Sequence, residues 1–300
     1  MTFDPDYGHF QSAQGTGRGF NPAQGPSSAE SPFLENLESW WKFDTATGPF
    51  TDSVTGTVMT EVNTPTSMTG VIAQAGVVSA ASAERATTNA AALLSDAEVN
   101  GGSGAEGTFT AHPFTVAGWF YPKNVGSAWP FFLEENQSTG GAHNLNWYMG
   151  PQYGHNADPV QFDFGVAGDG SIAYVSTAAI YAKDNWHFVV LRYFGCGYDS
   201  GASPPGDATD RRFTGQTVNE KQVMVVSGGA GSGSLSTIAY QAATGGALEP
   251  GTLFAMGDGV SGNSAGGLDL LGIWRDRLLT NAEILELYEL TVTGTDYPFS

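Results

Sequence analysis

Residues Gly267 to Leu290 constrain the fold of this chain more than any other stretch. Their first part, Leu268 to Trp274, is short, apolar and bounded by glycine, which fits a strand buried on both faces. The period then changes. Thr280 and Glu283 stand three apart as a capping box: the hydroxyl takes an orphan amide of the first turn, and the carboxylate reaches back to the cap. Ile284, Leu287 and Tyr288 fall on one stripe of a two-to-three-turn helix. A strand, a tight Arg275-Asp276-Arg277 turn and a short capped helix therefore close a domain.

Upstream, strand signals recur. Leu37 to Asp44 places Trp41 and Phe43 on one face, Trp40 and Lys42 on the other. Phe114 to Tyr121 and Trp186 to Phe194 are apolar on both faces, as interior strands are. Val160 to Val166 alternates: Val160, Phe162, Phe164 and Val166 face in, while Gln161, Asp163 and Gly165 face out, the pattern of a half-wet antiparallel strand. Lys221 to Val226 and Thr252 to Met256 complete the set. Between Val58 and Val99, Thr, Ser and Val clusters break any helical stripe, so short strands are expected, then a helical turn near Ser95 to Val99. With 41 glycines to supply turns, the chain reads as all-β: a two-sheet antiparallel jelly-roll sandwich with one short C-terminal helix.

Residues 1–33 read as a separate segment, an extended N-terminal docking arm ahead of a domain spanning 34–300. They are rich in Gly, Pro, Gln and Ser and keep no period. Such composition is a disordered tail unless neighbouring chains hold it. Extended, ~30 residues reach on the order of 100 Å. Phe3, Tyr7, Phe10, Phe20 and Phe33 would then be the assembly anchors.

Net charge is −19, and it arises from scarce Lys and Arg, 11 in all, rather than from abundant acid. Such a surface attracts neither a phosphate backbone nor an anionic leaflet, so nucleic acid and membrane are not expected partners. The single cysteine, Cys196, excludes an internal disulfide or a multi-cysteine zinc site. The start has no basic n-region and no apolar h-region, so no signal peptide is expected.

Several landmarks stand in a familiar order. Trp41-Lys42-Phe43-Asp44, Asp52-Ser53 with Gly56, and Phe114 to Phe120 resemble the opening of the LamG-like (laminin G, concanavalin A-like) jelly-roll domains. Trp186-His187-Phe188-Val189-Val190 resembles their central strand. Gly267-Leu268-Asp269 through Arg277-Leu278 and Glu283-Ile284 resembles their closing strand, turn and helix. The resemblance covers roughly residues 37–290 and implies a sandwich that binds sugars or proteins, or serves as a spacer in surface and virion proteins. One departure is the stretch Gly195 to Asn219, with Tyr198, Arg211, Arg212 and Phe213, read as a loop of interface length.

Enzyme-like strings fail on context. Gly257 to Gly262 matches G-x-G-x-x-G, but no helix follows to hold a pyrophosphate. Gly262 to Gly266 matches G-x-S-x-G without the strand-to-helix elbow. Glu134 and Glu135 are adjacent in a strand and point to opposite faces. Glu283, Glu286 and Glu289 read as a solvated helix face. His9, His112, His143, His155 and His187 show no metal spacing. No catalytic residue, cofactor or metal is expected. The candidate glycan-binding region is 127–155, with Trp129, Trp147, Tyr148 and Tyr153 as ring platforms and Asn136, His143, Asn144 and His155 as polar partners.

The expectation is a non-enzymatic structural protein of a larger assembly, a phage virion component (capsid decoration or tail-associated) tied by its arm to other structural chains, copies of itself or capsid and tail subunits. The rival is a carbohydrate-binding module for cell-surface or receptor glycans, extracellular or on a bacterial surface.

Overall fold

The computed structural model describes residues 32–45, 48–62, 66–78, 85–88, 114–123, 132–136, 145–151, 159–168, 171–178, 180–199, 212–235, 239–244, 253–256, 266–275 and 277–293. A 3-10 turn (Pro32–Leu34) leads into β1 (Leu37–Trp41), β2 (Thr60–Val62), β3 (Thr66–Thr69), β4 (Gln74–Val78) and β5 (Arg85–Thr88). Next come β6 (Phe114–Pro122), β7 (Leu133–Asn136), β8 (Leu145–Pro151), β9 (Phe162–Gly168) and β10 (Ser171–Ser176). Then follow β11 (His187–Asp199), β12 (Arg212–Ser227), β13 (Ser234–Leu235), β14 (Ala239–Thr244), β15 (Leu253–Met256) and β16 (Gly266–Arg275), before the helix α1 (Asn281–Val292).

Two antiparallel sheets form. One runs β13-β12-β11-β6-β16-β4-β3, with β1 also on β16 and β14 also on β12; the other runs β10-β9-β8-β7-β15-β5-β2. Strand alternation then divides the apolar residues into two cores. Phe114, Val116, Val189, Leu191, Val223 and Ile273 from the first sheet meet Trp147, Met149, Phe162, Phe164 and Phe254 from the second. On the far face of the first sheet, Trp119, Phe188, Val190, Met224, Leu270 and Trp274 pack against Ile284, Leu287 and Tyr288 of α1. The first sheet is thus covered on both sides, as its doubly apolar strands require.

The closing strand β16 is the seam. One edge pairs with β6, and the other is shared, Gly266 to Leu268 with β4 and Leu271 to Trp274 with β1. At the handover a bulge lets Asp269 and Leu270 both leave the inter-sheet side, with Leu270 at φ 50°. The capping box forms as expected, Glu283 N to Thr280 Oγ1 at 3.2 Å and Thr280 N to Glu283 Oε2 at 2.7 Å. Arg277 secures it with a 2.6 Å ion pair to Glu283.

Four expectations change. Phe33 belongs to the body: it is buried in the helix-side core, and its carbonyl accepts the indole N–H of Trp274 at 2.7 Å. The described parts of the supposed loop 195–219, residues 195–199 and 212–219, are strand, since β11 and β12 continue to pair through Gly195↔Glu220, Gly197↔Gln216 and Asp199↔Arg212. Gly195 and Gly197 sit where the register shifts rather than where the strand ends. The face of β9 read as wet is covered, Asp163 being only 2% exposed and Gly165 buried. Glu283 and Glu289 are not a solvated face; Glu289 accepts the amides of Gly231 and, at 2.8 Å, of Gly233. The helical turn expected near Ser95 to Val99 lies outside the described residues.

A candidate sugar platform on the seven-stranded sheet

The outer side of the seven-stranded sheet carries the one described aromatic platform with an exposed ring. Val175, Phe162, Phe164, Trp147 and Met149 point into the inter-sheet core, so the alternate residues of β10, β9 and β8 point outward. Register brings Tyr174, Gly165 and Tyr148 into one row across the three strands. Ser176, Asp163 and Gly150 form the next row. A side chain at 165 would collide with the Tyr148 ring, so the glycine is what lets that ring lie over β9. Tyr148 is buried there, while Tyr174 on the edge strand is 48% exposed.

Polar groups surround the rings. Ser176 and Gln161 hydrogen-bond the Asp163 carboxylate, yet its Oδ1 has no partner. Burial raises Asp163 to about 6, against the pull of those two hydrogen bonds. Burial also raises the Tyr148 hydroxyl, and Asp163 and Tyr174 add to the rise. The exposed Tyr174 ring, with the half-buried Ser176 hydroxyl and Gln161 amide beyond it, gives a pyranose an apolar face to rest on and partners for its hydroxyls, while the Asp163 carboxylate lies beneath the surface.

Of the four glycan residues read from the sequence, Trp129 and Tyr153 lie outside the described residues. Trp147 is in the core, 5.7 Å from Phe114 and 6.0 Å from Phe254, and reaches no surface. Tyr148 does lie on the platform, as a support under cover rather than an open ring. Asn136 is in β7; His143, Asn144 and His155 are outside the described residues. Among the anchors, Phe3, Tyr7, Phe10 and Phe20 are likewise outside, and Phe33 is committed to the body. Tyr174 escaped the sequence reading, although Ser171-Ile172-Ala173-Tyr174-Val175-Ser176 alternates as a strand and carries the signal.

Other polar groups are structural. Asp52 holds its turn, accepting the Trp40 amide at 2.8 Å and the Val54 amide at 2.9 Å. His187 is half-buried against Phe162 and Tyr181, its Nε2 2.8 Å from the Ala182 carbonyl oxygen, and burial lowers its pKa. Lys221 is buried on the inter-sheet side, where desolvation pulls its amine down to about 8. No three His, Cys, Asp or Glu groups converge on a metal position among the described residues. Nor is any described helix long and apolar enough to cross a membrane. The two glycine strings at 257–266 lie outside the described residues except Gly266, which opens β16.

Comparison with known proteins agrees with the fold. Residues 87–197 match the family model of the concanavalin A-like lectin/glucanases superfamily, so the LamG-like jelly roll read from the motifs stands. No curated protein matches the chain in sequence. Among solved structures, the binding domain of botulinum neurotoxin DC in complex with SialylT is similar over 85% of this chain and 52% of its own, at 10% identity and a TM-score of 0.46. A Trypanosoma rangeli sialidase in complex with the inhibitor DANA covers 83% of this chain and 32% of its own, at 13% identity and a TM-score of 0.42. The lectin UEA-II complexed with galactose covers 82% and 96%, at 9% identity and a TM-score of 0.31. The chain spans about half the length of the neurotoxin domain.

Proposed function

We propose that this chain is a carbohydrate-binding jelly roll that holds glycans without cleaving them, on the outer face of its seven-stranded sheet. The observation that carries the reading is the exposed Tyr174 ring beside Gly165, with Ser176 and Asp163 in the adjoining row and Gln161 hydrogen-bonded to Asp163. The family model, whose description includes lectins, points the same way. Such a module works where glycans are displayed, outside cells or on their surfaces.

The backbone spacing of two described carboxylates supports binding over cleavage. Glu134 pairs with Tyr148 and so shares the platform's register, two strands from β9. Two inter-strand steps and one two-residue step separate its backbone from that of Asp163 by about 12 Å. Glycosidase carboxylates stand roughly 5–9.5 Å apart. A structural role in an assembly, anchored by residues 1–33, is the weaker reading, because the described end of that segment is locked under Trp274.

The test is a glycan array probed with the wild type and Tyr174→Ala. Being exposed, Tyr174 is dispensable for folding, so the variant should melt within about 0.5 kcal/mol of wild type. It should lose binding about tenfold or more. Unchanged binding by the variant would move the site elsewhere, and a silent array would remove the function.

A further inference from the structure

We infer that the platform is selective for neutral sugars and turns away glycans that end in a carboxylate or sulfate; this rests on the carbohydrate-binding reading and narrows it. Asp163 is the described charge in the two rows, buried at 2% exposure with Oδ1 unpaired. Its row lies next to that of Tyr174, one two-residue step or ~7 Å along the strands. Neither row contains an arginine or lysine among its described members. Within the seven-stranded sheet the described cation is Arg85 on β5, four strands from β9 and ~19 Å away, well beyond a Debye length of about 8 Å, while the buried Lys221 lies on the opposite, inter-sheet side.

Among the described residues of that face, a sugar resting on Tyr174 therefore meets one close negative charge and no positive one, on a protein of net charge −19. Sugar hydroxyls suit that environment, because each is uncharged and can both donate to and accept from the Tyr174 and Ser176 hydroxyls and the Gln161 amide. A terminal carboxylate does not, because it brings only acceptors and a like charge. At ~7 Å in a half-wet site, between the water and protein-surface limits of Coulomb's law, the repulsion corresponds to roughly a tenfold loss of affinity.

Matched glycans decide the matter: N-acetyllactosamine beside its sialylated form, and a neutral glucan oligosaccharide beside a uronate oligosaccharide of equal length. Each pair is measured by titration calorimetry at low and physiological salt. The neutral member should bind about tenfold tighter, and the gap should narrow as salt screens it. Asp163→Asn, shown folded by circular dichroism, should close the gap by admitting the acidic member. Equal or tighter binding of the acidic member would overturn the inference and leave the carbohydrate reading standing. A gap that ignores salt would overturn it without recourse to the variant. Binding of no glycan at all would remove both.

Discussion

Asp269 accepts the backbone amide of Val71 at 2.7 Å, across 198 residues of chain, and with the same oxygen takes the amide of Ile72 at 3.1 Å. The carboxyl sits where β16 passes from β4 to β1 and has no strand neighbour on that edge. It supplies to the tip of the β3–β4 hairpin the acceptor that a ladder would otherwise provide. Gly70 leaves room for this, since an added Cβ would stand 2.5 Å from the Asp269 oxygen.

Burial raises Asp269 to about 8, with the charge of Asp44 adding to it and the amide hydrogen bonds opposing it. The folded state therefore keeps a proton that the unfolded chain releases near its ordinary value of 3.8. Wherever the folded state binds more protons, stability falls as pH rises. The loss runs from about pH 4 to about pH 8, and Asp163, raised to about 6, adds to its lower half. Melting temperature should drop between pH 5 and pH 8, and Asp269→Asn should flatten that slope. A variant with the wild-type slope would show that the carboxyl does not hold its proton.

Trp147 fills the centre of the inter-sheet core among Phe114, Phe164 and Phe254. Trp147→Ala should cost about 3–5 kcal/mol in denaturant unfolding. Any sugar binding it loses should be recovered under conditions that refold it. A near-neutral effect on stability would return Trp147 to the surface and to the list of ligand residues.

Phe33→Ala separates body from arm in the isolated protein. A residue buried beside Trp40 and Trp274 should cost about 3–5 kcal/mol when truncated. An anchor for another chain would cost the lone protein almost nothing.

Glu289 and Glu286 lie on the same helix with opposite fates. Glu289→Gln should weaken the hydrogen bonds to the Gly231 and Gly233 amides and cost about 1 kcal/mol. Hydrogen exchange at those two amides should speed up. The exposed Glu286→Gln should stay within about 0.5 kcal/mol. Equal effects from both would mean that the helix does not hold the loop.

The architecture was legible where local chemistry decides it. Thr280 and Glu283 announce the helix start, and the doubly apolar run 114–121 announces a covered strand; both signals are complete within a few residues. The hairpin beyond Gly195 was hidden because glycine marks turns and register shifts alike, and only the partner strand tells them apart. Trp147 misled because an indole suits a sugar and a core equally well, and its neighbours Phe114 and Phe254 lie 33 and 107 residues away in sequence. The platform needed pairing across three strands, so neither Tyr174 nor Gly165 could be recognised alone.

β16 lies mid-sheet in the first layer, flanked by β6 on one edge and by β4 and β1 on the other, yet it is the last of the described strands. During synthesis the earlier strands of that layer must wait, with open edges and bare indoles, until residue 275 has cleared the ribosome. Pairings this distant in sequence close slowly. A chain cut before β16 should therefore aggregate rather than settle as a smaller domain, which expression of a 1–265 fragment would check.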